Sequence, residues 1–300
     1  MCAFHLRNHE ASRQLKVSWS GTPLENCEHP VYLGVTLDRC LSFKTHIEKT
    51  KAKVCSRNNI ISRLTGTNWG ASPATLRSSA LALCYSSAEY ACAVWERSTH
   101  ARKINPALNA TCRLITGCLR TTTRDSLYIL SGIAPPEIRR RAASSRERQR
   151  QVTDERHPMY GHEPAKSRLK SRKSFLAAVE PDGELNTRET LWQDRVALLP
   201  STTSMALLAR EELPPGNESS WAEWKCLNRL RSGKGRCKVT LQEWEYLKNG
   251  DVTCVCRSEP QTMDHLLKCP LLSQRCTAED LAVFNDLAQD CVQLWLKHSI

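Results

Sequence analysis

Three cysteines and one histidine crowd the segment CVCRSEPQTMDHLLKC, in the order Cys254, Cys256, His265 and Cys269, or C-x-C-x8-H-x3-C. Thiolate sulfur and imidazole nitrogen are the preferred ligands of Zn2+. Four of them close a tetrahedron with no position left for water, so the set predicts a structural rather than a catalytic zinc. Local structure must deliver these side chains to one point. Residues two apart, such as Cys254 and Cys256, point to one face of an extended segment. Thr262 is a natural N-cap and Asp264 a first-turn acid, while His265 and Cys269, four apart, share one side of a helical turn. In the competing reading Leu266, Leu267 and Cys269 are core positions and His265 is a surface residue. The chain holds fifteen cysteines, and Cys276 and Cys291 read as packing residues from their helical surroundings.

Just upstream, WAEWKCLNRLRSGKGRCKVTLQEW gathers Arg229, Arg231, Lys234, Arg236 and Lys238 around Gly233 and Gly235. Cationic side chains with open glycine amides suit phosphate contacts. The flanking Trp221, Trp224 and Trp244 read as core residues of a small module rather than as base-stacking platforms.

The elements that carry these groups are mostly helical. VYLGVTL, Val31 to Leu37, reads as a buried strand. A helix follows from about Ser42 to Leu64, with Ile47, Lys51, Val54, Asn58 and Ile61 at helical spacing. A longer core helix opens at Ser72 with Pro73 in its first turn. It carries Leu76, Ala80, Leu83, Cys84, Ala88, Ala91 and Trp95 on one stripe. Shorter helices are expected from about Pro106 to Leu119 and from Asp125 to Leu130, before a break at Gly132 to Pro136. From Glu137 to Lys173 twelve basic residues face five acidic ones, among them Arg139, Arg140 and Arg141, and the stretch reads as a basic linker without an apolar stripe. ELPPGNESS is a second break. The fold class expected is α+β, mostly α-helical, with four parts: 1–41 with short strands, 42–136 helical, 137–220 basic linker, and 221–300 a small zinc-binding module.

Bulk properties narrow the function. The chain has 300 residues and a formal charge of +12, from forty-three Lys and Arg against thirty-one Asp and Glu, which favours a polyanionic partner. The N-terminus lacks the apolar core of a signal peptide, and no apolar run approaches a membrane span. The many cysteines are thus expected in a reducing, intracellular setting, nuclear or cytoplasmic. No nucleophile–base pairing, phosphate-binding glycine motif or paired carboxylates argue for an enzyme or a small-molecule substrate. His5, His9, His46, His100 and His298 are isolated and read as surface residues.

Several segments in order, VYLGVTLD, HIEKTKAKV, ALALCYSSAEYACAVW, LNATCRLITGCL and GIAPPEIRR, resemble the reverse transcriptase of non-LTR retrotransposons, above all jockey-like and R1-like elements. LNRLRSGKGRC and CVCRSEPQTMDHLLKCP resemble the C-terminal zinc-binding segment of the same polyproteins. The resemblance implies that residues 1–41 are the end of the palm, with Leu33 and Gly34 matching the primer grip. It implies a thumb over 42–136 that holds a template–primer duplex, and a CCHC segment that assists nucleic-acid binding. Family polymerases hold two metal ions with an aromatic-x-Asp-Asp motif and an earlier Asp. This chain has no Asp-Asp pair, Asp38 reads as a solvated turn residue, and the sequence starts after the place where those motifs end. The expected protein therefore binds RNA or DNA without RNA-directed DNA polymerase activity. The alternative is a zinc-stapled protein-interaction or structural remnant.

Overall fold

The computed structural model describes residues 1–5, 7–66, 69–163, 175–181, 188–199, 206–247 and 250–298. Lys166, Arg168, Lys170, Arg172 and Lys173 of the expected basic linker lie outside them. Helix dominates, and two small sheets accompany it among the described residues. The first pairs β1 (Ser18–Trp19) with β2 (Thr22–Pro23), and the second pairs β3 (Val31–Tyr32) with β4 (Val35–Thr36), both antiparallel.

The second hairpin replaces the buried strand expected over Val31 to Leu37. Leu33 and Gly34 both take positive φ, 45° and 78°, the signature of a tight two-residue hairpin turn. The run therefore folds back on itself. Val31, Tyr32 and Leu33 are left exposed and only Val35 and Thr36 are buried. The Leu33 carbonyl accepts a hydrogen bond from the Tyr90 hydroxyl at 2.9 Å.

Helix α1 (Asn8–Ala11) lies in the part expected to hold only short strands, whereas α2 (Lys44–Arg63) stands where a helix was expected and buries Ile47, Val54, Asn58 and Ile61 on one face as its spacing requires. Asp38 accepts from both the Ser42 amide and hydroxyl, at 2.8 and 3.0 Å, so its carboxylate anchors the approach to α2. At α3 (Pro73–Ala80) the Ser72 hydroxyl accepts from the Thr75 amide and Pro73 occupies the first position. The long helix expected to reach Trp95 is broken. A π-helical turn at Leu81–Tyr85 leads into α4 (Ser86–Glu89), and Ala91 sits in the left-handed region, φ 49°, before α5 (Cys92–Trp95). A 3-10 turn at Ala101–Ile104 leads into α6 (Asn105–Thr116), and α7 (Arg124–Ser131) ends on Gly132 at φ 59°. The remaining helices are α8 (Pro136–Thr153), α9 (Phe175–Ala178), α10 (Arg188–Ala197), α11 (Trp221–Ser232), α12 (Lys238–Glu243), α13 (Met263–Lys268), α14 (Ala278–Val283) and α15 (Asp286–Leu296).

These elements form two compact units: Met1–Ser56 with Cys84–Leu108 and Pro136–Thr187, and Arg57–Leu83 with Asn109–Pro135 and Arg188–Ile300. In the first, α5 packs on α8. The basic segment Glu137 to Thr153 is thus not an apolar-free linker but a helix that buries Ile138 and Ala142. His46, expected at the surface, is also buried here. Its Nδ1 accepts from the Thr36 amide at 3.2 Å, its ring lies 6.0 Å from that of Trp95, and burial together with Lys49 lowers its pKa.

In the second unit α11 packs against α14 and α15, and α15 also contacts α13. Trp221 and Trp224 are core residues, as expected from sequence. Their indole N–H groups reach beyond the last eighty residues. Trp221 donates to the Gly66 carbonyl and Trp224 to the Ile115 carbonyl, each at 2.9 Å, and Asn228 donates to the Thr116 carbonyl at 3.1 Å. Ser220 caps α11 reciprocally with Glu223.

Candidate metal centre and basic residues

The cysteine pair sits on a tight reversal rather than in an extended strand. Thr253 bridges Pro260, the Cys254 amide donates to the Glu259 carbonyl at 2.9 Å, and the Gln261 amide donates to the Val252 carbonyl at 2.8 Å. Between them the Arg257 amide returns to the Cys254 carbonyl, with Arg257 at φ 62°. The turn residues Ser258, Glu259 and Pro260 make this reversal possible. Thr262 then caps α13 as its sequence predicts, its hydroxyl accepting from the His265 amide at 3.1 Å. His265 lies in the first turn of α13, and Cys269 is the residue that ends it.

The four expected ligands converge. One donor atom from each of Cys254, Cys256, His265 and Cys269 lies within 4.8 Å of all the others. Cys254 Sγ is 3.9 Å from Cys269 Sγ, and Cys256 Sγ is 3.2 Å from His265 Nε2. A tetrahedral zinc with ordinary bond lengths has edges of about 3.8 Å between sulfurs and about 3.5 Å between sulfur and nitrogen. The cluster therefore could bind a metal such as zinc. Cys254, His265 and Cys269 are buried and Cys256 is half-buried. Cys276 and Cys291 are buried and lie outside the donor group.

A fifth residue, not anticipated from the sequence, completes the arrangement. Glu259 Oε2 stands 3.0 Å from His265 Nδ1 and 3.7 Å from Lys268 Nζ. The His265 hydrogen bond, then Lys268, holds the Glu259 carboxyl below its ordinary range. A carboxylate on Nδ1 fixes the tautomer that turns a basic Nε2 toward the sulfurs, the outer-shell arrangement of metal-bound histidines. An acid inside a turn has no periodic signature, which is why spacing alone passed over it. Among the sulfurs, burial works to raise the Cys256 thiol, but hydrogen bonds from Ser258, Cys254 and His265 outweigh it and bring it down. Burial pushes Cys269 up. Three thiolates cannot share so small a volume by themselves, and a divalent cation removes that conflict.

The basic residues expected to contact nucleic acid divide sharply. Arg231 is only 4% exposed. Its guanidinium donates to the Leu281 carbonyl at 2.7 and 2.9 Å and to the Pro215 carbonyl at 2.7 Å. Arg139 is buried against the Glu89 carboxylate, 3.0 Å between Nη2 and Oε2, and lies over the Tyr85 ring. Arg140 is buried with Nη2 on Asn105 Oδ1 at 3.1 Å. The assignment of these three as nucleic-acid contacts is corrected: each is committed to internal partners. Arg141, Lys234 and Arg236 are exposed and Lys238 is half-buried. Arg229 is buried, with Nε on the Gly117 carbonyl at 3.2 Å. The glycine amide expected to be open at Gly233 closes the end of α11 on the Leu230 carbonyl, and Gly235 is buried. Leu33 and Gly34, the primer-grip match, form the exposed tip of the second hairpin.

The centre also braces this basic segment. The Lys238 amide donates to Gln261 Oε1 at 2.9 Å, the Val239 amide to the Gln261 carbonyl, and Lys238 Nζ to the Thr253 carbonyl at 2.8 Å. Compared with protein-family profiles, curated proteins and solved structures, the chain matches none. No helix among the described residues is long and apolar enough to cross a membrane.

Proposed function

We propose that this chain is a reverse-transcriptase-derived nucleic-acid-binding protein of the jockey- and R1-like type, in which Cys254, Cys256, His265 and Cys269 hold a structural Zn2+. The observation that carries the reading is the convergence of those four donors, with Glu259 behind His265, inside a chain of formal charge +12. Zinc there supplies folding free energy to the turn and to the short helix α13, which has one turn and a half to recommend it without a metal. The chain's own residues bind and orient nucleic acid and carry no nucleotidyl transfer, since no Asp-Asp pair is present to hold two metal ions. The setting proposed is intracellular, with RNA or DNA as partner.

The test is a salt titration of the zinc-loaded full chain with single-stranded and duplex oligonucleotides. Phosphate contacts require log affinity to fall linearly with log salt, with a slope of about −0.7 per phosphate neutralised on a single strand. A second reading, a zinc-stapled structural or protein-interaction remnant, is favoured by the internal commitment of Arg139, Arg140 and Arg231. A flat salt response would decide for it.

A further inference from the structure

We infer that a groove in the second unit, lined by Arg113, Lys225, Arg229 and Arg236, is the track for the phosphodiester backbone of a single-stranded nucleic acid. The inference rests on the nucleic-acid reading above and gives it a place. The groove encloses about 900 Å³ between Thr65–Gly66, the end of α6, the 117–119 loop and α11. Among the described residues four cations line it and no carboxylate does. Two of them, Lys225 and Arg229, stand four apart on α11, in line with Trp221 one further turn back. Arg113 comes from α6 and Arg236 from the turn after α11.

Two of these cations are held in place rather than left to swing. Buried Arg229, its Nε on the Gly117 carbonyl, lends its charge from behind the wall rather than by direct contact, and Arg113 Nε reaches the Leu119 carbonyl at 3.3 Å. Gly117, at φ 67°, contributes by what it lacks, because a Cβ there would come within 2.5 Å of Lys225 Cγ. The bare backbone lets the lysine stem lie across the loop. Burial, then Arg229 and Arg236, weakens the hold of Lys225 on its proton, so these like charges feel one another. Such a concave gathering of one sign concentrates a polyanion. Half-buried Leu114, Leu119 and Leu296 line the groove together with the cations. That mixture fits a strand whose unpaired bases can lie on apolar surface beside the phosphate contacts, whereas a duplex keeps its base faces stacked inside.

The experiment measures anisotropy of labelled oligo-dT and oligo-U with the zinc-loaded full chain over a salt series. Lys225→Gln with Arg236→Gln should lower affinity about tenfold at low salt and flatten the log–log slope by about 1.4, two phosphates' worth. Lys53→Ala with Arg275→Ala, exposed and outside the groove, should change affinity less than twofold. Arg236→Gln alone, at an exposed site, flattens the slope by about 0.7 and keeps the test valid if the double variant folds poorly. Wild-type binding that survives both groove variants with an unchanged slope overturns the groove and leaves the proposed function standing. Absence of salt-dependent binding by the wild type overturns both. Tighter binding of duplex than of single strand, or equal binding of poly-glutamate, overturns the single-stranded occupant.

Discussion

Arg231→Ala separates a structural arginine from a phosphate contact. The side chain sits under α14 with its guanidinium on the carbonyls of Leu281 and Pro215, and a longer contact of 3.4 Å to Ala282. Truncation strands two buried acceptors, each costing about 1–3 kcal/mol. It also relieves a cation buried without a carboxylate beside it among the described residues; burial pulls its pKa down to about 9. That relief offsets part of the loss. The net expectation is a destabilisation of about 2–4 kcal/mol, or roughly 3–6 °C in Tm for a chain of this size. Arg231→Met, which keeps volume while discarding the charge, should cost less. Urea unfolding followed by tryptophan fluorescence reads the effect through Trp224, whose ring lies 6.0 Å from the guanidinium. A variant whose midpoint holds within about 0.5 kcal/mol while its nucleic-acid affinity collapses would refute the structural assignment.

Glu259→Gln should keep the fold but weaken zinc about 10–100-fold, measured by competition with a chromogenic chelator, because the carboxylate orients His265. Complete chelation should expose Cys254 and Cys269 to alkylation while Trp224 fluorescence stays native, since α11 is anchored on Ile115 and Thr116 rather than on the metal; continued protection of both thiols would count against the site. Gly132→Ala should destabilise by about 2–5 kcal/mol in thermal melts, because a Cβ would meet the Glu212 carbonyl oxygen at 2.1 Å in a left-handed backbone. The Glu223 carboxyl is held below its ordinary value of 4.5, first by its hydrogen bonds with Ser220. Its contribution is therefore complete above pH 4.5 and fades as pH falls through the lower folded value, so Glu223→Gln should flatten the acid limb of the stability profile and an unaltered limb would refute the capping role.

What was legible in the sequence was local. Ser72–Pro73 and Thr262 cap their helices from within four residues, and the His265–Cys269 spacing needs only one helical turn. Trp221 and Trp224 announced themselves by size and hydrophobicity. The errors came where a distant partner or an unusual backbone decides. Nothing in VYLGVTL separates a strand from a hairpin until Leu33 takes positive φ, a conformation its side chain disfavours. The stripe from Leu76 to Trp95 is continuous in sequence, yet the backbone breaks at Ala91 and the stripe survives the break. Arginines carry the same letter whether buried or solvated. Arg139 is committed by Glu89, fifty residues earlier, and Arg231 by carbonyls of α14, fifty residues later. Lys225 could have been found, since it stands four before Arg229 on one helix face. Arg113 could not, because only folding brings α6 beside α11.

The second unit is assembled from three stretches of chain separated by long insertions, the last beginning at Arg188. On the ribosome, buried Ile115 emerges well before Trp224, whose indole bonds its carbonyl, and the rest of α11 exist. At ordinary synthesis rates of about 5–20 residues per second that interval lasts roughly 5–22 s. The nascent protein should thus be a client of holding chaperones through about a third of its synthesis. A fragment cut at Trp221 would inherit the metal ligands but leave the indoles of α11 facing solvent, a recipe for aggregation rather than for an independent finger.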